Sequence, residues 1–312
     1  MRTVLVTEKL REETIQEFNA LEGYQFLYKS FDETTEEERN QIDTVIGSPK
    51  KDTLEQLPNL KWVQLLSAGA NQYTWLPEHI LLTNAYGGYG KGIAEYLIAT
   101  TLMVQKYLPT YLDQQKEHNW TRHTFVKTIE GSKILCVGMG GIGSEYLKRA
   151  HALGATCYGV RRTIHDKPEF VEELYTMDTF DEVLPEMDVI ALCLPETPET
   201  IHMFNKERLL KMKKDAILLN IGRGSAIVTD DLMEVMKEGH LLGAVLDVIE
   251  PEPLPQNHAL WNTPRVYITP HISGGFSTDA NYYNVIAVVK ENLLRVRDGK
   301  EVVHSVDRKF GY

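Results

Sequence analysis

Short apolar runs alternate with amphipathic stretches along nearly the whole chain. In the first third, the runs at 3–7, 24–28, 44–47, 62–66 and 81–83 have the length and the β-branched or aromatic content of strands, and helical patterns separate most of them. Residues 92–118 then repeat Ile93, Leu97, Thr101 and Val104 on one face, which predicts one long helix. A second series starts near Lys133. Strands are predicted at 134–137, 156–160, 189–194, 216–221, 244–248 and 266–269, and a helix at 144–153 turns Tyr146, Leu147, Ala150 and Leu153 inward and stops at Gly154. Residues 279–297 are again helical in pattern, and 301–312 is expected to return to the first domain.

This alternation predicts an α/β protein of two doubly wound parallel sheets, Rossmann-like and flavodoxin-like, with a cleft between. The first domain is expected to be discontinuous, 1–98 with 282–312. The second, 99–281, would be inserted between them, and its six strands are the number of a dinucleotide-binding sheet.

Composition narrows the class. A chain of 312 residues has room for two cores, and 43% hydrophobic with 25% charged residues is a globular balance. A formal net charge of −11 argues against nucleic acid or anionic lipid as a partner. The opening MRTVLVTEKLREE lacks the apolar core of a signal peptide, and no run has the length of a membrane span. Cys136, Cys157 and Cys193 are odd in number, lack metal-type spacing and sit in apolar runs, so they are expected to be buried thiols. A cytoplasmic protein without metal fits these features.

Gly138, Gly140 and Gly143 form G-x-G-x-x-G between a predicted strand and a predicted helix. The first glycine permits the tight turn, the second admits a pyrophosphate against the backbone, and the third lets helix and strand pack closely. The helix start supplies N–H donors for the anion, so Met139, Gly141 and Ile142 join the candidate site. An NAD site carries Asp or Glu about 20 residues on, at the end of the next strand. Here Arg161, Arg162 and Thr163 stand there instead. A guanidinium suits a 2′-phosphate where a carboxylate would repel it, so NADP is expected to be preferred, with NAD still possible.

Ligands of doubly wound sheets lie beyond the carboxyl ends of the strands. Arg223, Glu252 and His271 each follow such a predicted end, bringing a cation, a carboxylate and an imidazole to the cofactor edge. With Ser67-Ala-Gly-Ala, Thr83-Asn-Ala, Ala94-Glu95, Leu194-Pro-Glu-Thr-Pro-Glu-Thr, Asn220-Ile-Gly-Arg-Gly, Leu246-Asp-Val and Thr269-Pro-His in order, nearly the whole chain resembles the D-isomer-specific 2-hydroxyacid dehydrogenase family. That family includes glyoxylate/hydroxypyruvate reductases, D-lactate dehydrogenases and phosphoglycerate dehydrogenases.

The resemblance implies hydride transfer from NAD(P)H to a small 2-oxo acid, giving a D-2-hydroxy acid. His271 would be the general acid, Glu252 the residue that orients it, and Arg223 the partner of the substrate's carboxylate and carbonyl. Glu252 matches the family better than Glu250, because Pro-Leu-Pro follows it directly. Backbone amides at Ala68, Gly69 and Ala70 would hold the carboxylate. Leu194 and Pro195 would line the cofactor ribose, Asp247 the nicotinamide side, and Ile221, Gly222 and Ser273 complete the cofactor set. A homodimer through the nucleotide domain is implied by the resemblance alone. The alternatives are a catalytically silent nucleotide sensor, against which the Arg/Glu/His set speaks, and 3-phosphoglycerate dehydrogenase, whose common extra regulatory domain finds no counterpart here. Tyr86 and Tyr89 could shape a substrate pocket or merely pack.

Overall fold

Five parallel strands make the first sheet, in a computed structural model that describes residues 1–308 apart from 124, 165 and 277. The chain runs β1 (Arg2–Val6), α1 (Glu12–Asn19), β2 (Tyr24–Tyr28), α2 (Glu36–Gln41), β3 (Ile42–Gly47), α3 (Lys51–Glu55), β4 (Trp62–Leu65) and β5 (Leu81–Thr83). The sheet order β2-β1-β3-β4-β5 is the flavodoxin-like winding. Its strands are apolar on both faces, as helix-covered parallel strands must be, and Leu5, Val45, Val63 and Leu65 are buried in one cluster.

A second sheet of seven parallel strands follows. After α4 (Gly90–Gln105) and α5 (Leu108–Lys116) come β6 (Lys133–Val137), α6 (Gly141–Ala152), β7 (Thr156–Val160), β8 (Glu173–Tyr175), β9 (Val189–Leu192), α7 (Lys206–Lys211), β10 (Ile217–Asn220), α8 (Thr229–Lys237), β11 (Gly243–Leu246) and β12 (Val266–Ile268). The order β12-β11-β10-β9-β6-β7-β8 reverses direction between β6 and β9, the switch point at which this winding binds its ligand. Leu135, Val137, Ile190, Leu192, Leu218 and Leu246 are buried in its core.

The chain then returns to the first unit as α9 (Asp279–Arg297), and the tail pairs Ser305 with Thr83 in an antiparallel bridge beside β5. Residues 309–312 of the expected returning segment lie outside the described residues. A buried polar network secures this return. Asn292 donates to Gln64 Oε1 (2.8 Å) and to the Val303 carbonyl (3.0 Å), while Thr83 takes the Trp62 indole proton (2.9 Å) and passes its own to Gln64 (2.7 Å). Buried groups of this kind must be paired, so the network specifies how β4, β5, α9 and the tail meet.

Several expectations need correction. The compact units divide at 89/90 and 275/276 rather than at 98/99 and 281/282, which fall inside α4 and α9; each helix packs whole into one unit. The single helix over 92–118 is two, because Tyr107 takes a left-handed φ of 54° and Pro109 opens α5. β8 was missed. Leu153 is exposed at the end of α6, and Cys193, unlike the buried Cys136 and Cys157, is only half-buried.

Candidate functional site

The glycine loop makes the turn from β6 into α6. Gly138 has φ 97°, a conformation that costs an L side chain on the order of 1–2 kcal/mol, and a Cβ there would lie 2.7 Å from the Cys193 carbonyl oxygen. A Cβ on Gly143 would lie 2.5 Å from Cys136 Sγ and 2.7 Å from the Gly138 oxygen. The loop is therefore bare backbone pressed onto its neighbours. α6 begins at Gly141, so its first-turn amides, Ile142 and Gly143 among them, lack intrahelical acceptors and carry the positive end of the helix dipole. That donor set fits a pyrophosphate.

Two neighbouring loops complete this rim. At the end of β7, Arg161 Nε donates to the Met139 carbonyl (2.9 Å), folding the guanidinium onto the glycine loop, while Arg162 and Thr163 are exposed. The site therefore presents cations where an NAD-selective sheet presents an acid, and these residues fit a phosphorylated ribose. Arg162 is close enough to help hold the Glu199 carboxyl below its ordinary range, after the larger effect of the Thr197 hydroxyl. Beyond β9, Leu194 is buried against Gly222, whose Cβ would lie 2.5 Å from the Leu194 oxygen; Pro195 follows, its carbonyl taking the Thr200 hydroxyl proton (2.8 Å).

The loop after β10 closes on its own asparagine. Asn220 Oδ1 accepts from Gly222 N (3.1 Å) and its Nδ2 donates to the Arg223 carbonyl (3.0 Å), fixing the backbone through the buried Ile221. Arg223 is half-buried, and its Nη1 bonds to the Gly222 carbonyl (2.7 Å) rather than to a carboxylate.

Asp247, at the end of β11, is 2% exposed and clamps the loop after β12. Its Oδ1 accepts from Thr269 Oγ1 (2.5 Å) and Ile272 N (2.9 Å), its Oδ2 from Ser273 N (2.9 Å), and its backbone carbonyl from His271 N (3.0 Å). His271 is thereby held at φ 54°, a left-handed conformation that histidine tolerates better than most residues. Its Nδ1 donates to Glu252 Oε1 across 2.7 Å. Glu250 goes elsewhere, to His202 Nε2 at 3.6 Å.

In the first unit, the loop after β4 ties back its carbonyls. Ser67 Oγ donates to the Gly69 oxygen (2.8 Å), Asn84 Nδ2 to the Ala68 oxygen (2.7 Å) and Tyr73 N to the Ala70 oxygen (2.9 Å). Among the described residues, no protein acceptor takes the amide protons of Ala68, Gly69 or Ala70. Three consecutive amides with nothing to bond are an anion-binding feature. Tyr89 is buried and donates to the Leu66 carbonyl, whereas Tyr86 is exposed with its ring 5.5 Å from that of His304.

Asn220, Thr269 and Tyr96 were not foreseen as working residues. Tyr96 Oη lies 2.7 Å from Thr269 Oγ1, a contact across 173 positions that no local pattern reveals.

Comparison with known proteins places the chain in a family. Residues 98–273 match the family described as D-isomer specific 2-hydroxyacid dehydrogenase, NAD binding domain. A glyoxylate/hydroxypyruvate reductase B of Enterobacter sp. (strain 638) is 32% identical over 82% of this chain and 81% of its own length. A D-3-phosphoglycerate dehydrogenase of Bacillus subtilis is 30% identical over 98% of this chain, which spans 59% of that relative's length. Among solved structures, the NADPH-dependent glyoxylate/hydroxypyruvate reductase of Sinorhizobium meliloti, determined with NADP and sulfate, superposes with a TM-score of 0.84 at 26% identity, covering all of both chains.

Proposed function

The chain belongs to the D-isomer specific 2-hydroxyacid dehydrogenase family, and from that membership we propose that it transfers a hydride between NAD(P)H and a small 2-oxo acid to give the D-2-hydroxy acid. The observation that carries this reading is the His271–Glu252 pair, 2.7 Å apart, at the carboxyl edge of a sheet whose first loop is built for a dinucleotide. The reduced nicotinamide, when bound, supplies the hydride. Glu252 fixes the imidazole by accepting a hydrogen bond from Nδ1–H, so Nε2 is the atom that hands a proton to the oxygen at C2 of the substrate. Arg223 supplies a fork of donors for the carbonyl and carboxylate and stabilises charge as it builds on oxygen. The amides of Ala68, Gly69 and Ala70, in the first unit, are donors suited to a carboxylate.

We further propose that NADPH is the preferred reductant, because Arg161, Arg162 and Thr163 stand where an acid would select NAD. The relatives point to glyoxylate and hydroxypyruvate as first substrates to try, and the Bacillus relative adds 3-phosphohydroxypyruvate. Purified protein should oxidise NADPH with at least one member of a 2-oxo acid panel, with a higher kcat/KM than for NADH. No turnover of any member with either cofactor would overturn the reading, and a clear NADH preference would overturn the cofactor assignment alone.

A second copy of the chain is the proposed occupant of one apolar surface. Leu108 and Leu112 share a face of α5, and Trp120, Phe125 and Val126 follow, all exposed, with Trp120 at 90% and Phe125 at 87%. Exposed apolar residues so close together in the chain are the candidates for an interaction surface.

A further inference from the structure

We propose that Tyr96 is a positioning residue for the loop that carries His271, acting through Thr269 and Asp247; the proposal rests on the reading of His271 as proton donor. The direction of the hydrogen bonds follows from counting protons. Thr269 has one hydroxyl proton, and an ionised carboxylate can only accept, so Thr269 Oγ1 donates to Asp247 Oδ1 at 2.5 Å. The 2.7 Å contact between Tyr96 and Thr269 is then made by the phenol proton. Tyr96 therefore fixes the rotamer of Thr269, and Thr269 fixes one oxygen of Asp247.

That oxygen is shared. Asp247 Oδ1 also takes the Ile272 amide and Oδ2 the Ser273 amide, each at 2.9 Å, in the two residues that directly follow His271. The loop holds His271 at φ 54°, so it relaxes if these bonds loosen. Tyr96 stands on α4, which is anchored by its Thr101 hydroxyl to the buried Tyr146 phenol at 3.0 Å, so the relay ties a loop to a fixed helix. Burial pushes the Tyr96 phenol up to about 12, and it remains a donor at neutral pH.

Tyr96→Phe removes only the phenol oxygen. Amide hydrogen exchange over 271–273 should quicken, and kcat should fall about 3- to 10-fold, the worth of one half-buried hydrogen bond. Thr269→Val should lower kcat further, the Tyr96→Phe/Thr269→Val double variant should be no worse than Thr269→Val alone, and Thr269→Ser should retain wild-type behaviour. Unchanged exchange in Tyr96→Phe, or additive losses in the double variant, would overturn the relay. Faster exchange in Tyr96→Phe together with a wild-type protein that reduces no 2-oxo acid would leave the relay standing and remove the catalytic reading.

Discussion

Glu250 and Glu252 flank one proline in the same loop, yet the fold gives them different partners. Glu252 reaches His271 at 2.7 Å and Glu250 reaches His202 at 3.6 Å. Replacing His271 with Ala is expected to lower kcat by about 10²–10⁴-fold with little change in cofactor affinity, the usual cost of losing a general acid. Glu252→Gln keeps a hydrogen-bond acceptor but removes the charge, and should fall between that variant and the wild type. Glu250→Gln breaks only an exposed pair of the kind worth about 0–1 kcal/mol, so its kcat should match the wild type. Steady-state kinetics of the three variants decides the matter: equal losses at Glu250 and Glu252 would contradict the assignment. The placement of Arg223, Glu252 and His271 beyond strand ends was legible from sequence because each follows an apolar run of strand length. Tyr96 was not legible. It sits mid-helix with ordinary periodicity, and its meaning comes from a contact made only after folding.

At the scale of elements, pattern reading found the strands that are long apolar or aromatic runs and missed one very short edge strand. The central strands β6, β9, β10 and β11 are fully or almost fully buried, so their apolar runs are unbroken. β8 is three residues, Glu173–Tyr175, of which Leu174 alone is buried, and so short an edge strand leaves no alternation to detect. The break between α4 and α5 was announced by Pro109, yet the apolar repeat ran across it; the proline outweighs the repeat because it cannot continue a helix interior. α6 starts inside Gly-Gly-Ile-Gly, a poor helix former by propensity, because close packing on β6 overrides it. Gly143→Ala tests that packing. Its Cβ would meet Cys136 Sγ and the Gly138 carbonyl, so the turn must shift: thermal melts should show a loss of about 1–3 kcal/mol, and the cofactor should bind more weakly. A variant with wild-type stability and cofactor affinity would show that the loop is not held by this contact.

The whole molecule carries a charge of −11, and no helix of its described residues is long and apolar enough to cross a membrane. Trp120 and Phe125 stand out against that background, to either side of a packed histidine in the sequence. The His123 ring stacks on Tyr107 at 4.1 Å and meets Tyr111 edge-on at 5.6 Å, and its backbone N–H donates to the Tyr111 hydroxyl at 3.1 Å. Large aromatics each bury about 150–250 Å² on docking, and about 800 Å² per partner makes a stable interface. The two aromatics with Leu108, Leu112 and Val126 supply the apolar centre of such a surface, and in a two-fold dimer each copy contributes the same set. Light scattering should therefore give about twice the chain mass of 35.6 kDa at micromolar concentration, and the Trp120→Glu/Phe125→Glu variant should fall to the single-chain mass while keeping its circular dichroism. A wild-type protein at the single-chain mass, or a double variant that still dimerises, would remove this surface as the contact. Association buries this apolar surface but brings the like charges of two acidic copies together, so a dimer formed this way should persist better in high salt, where that repulsion is screened.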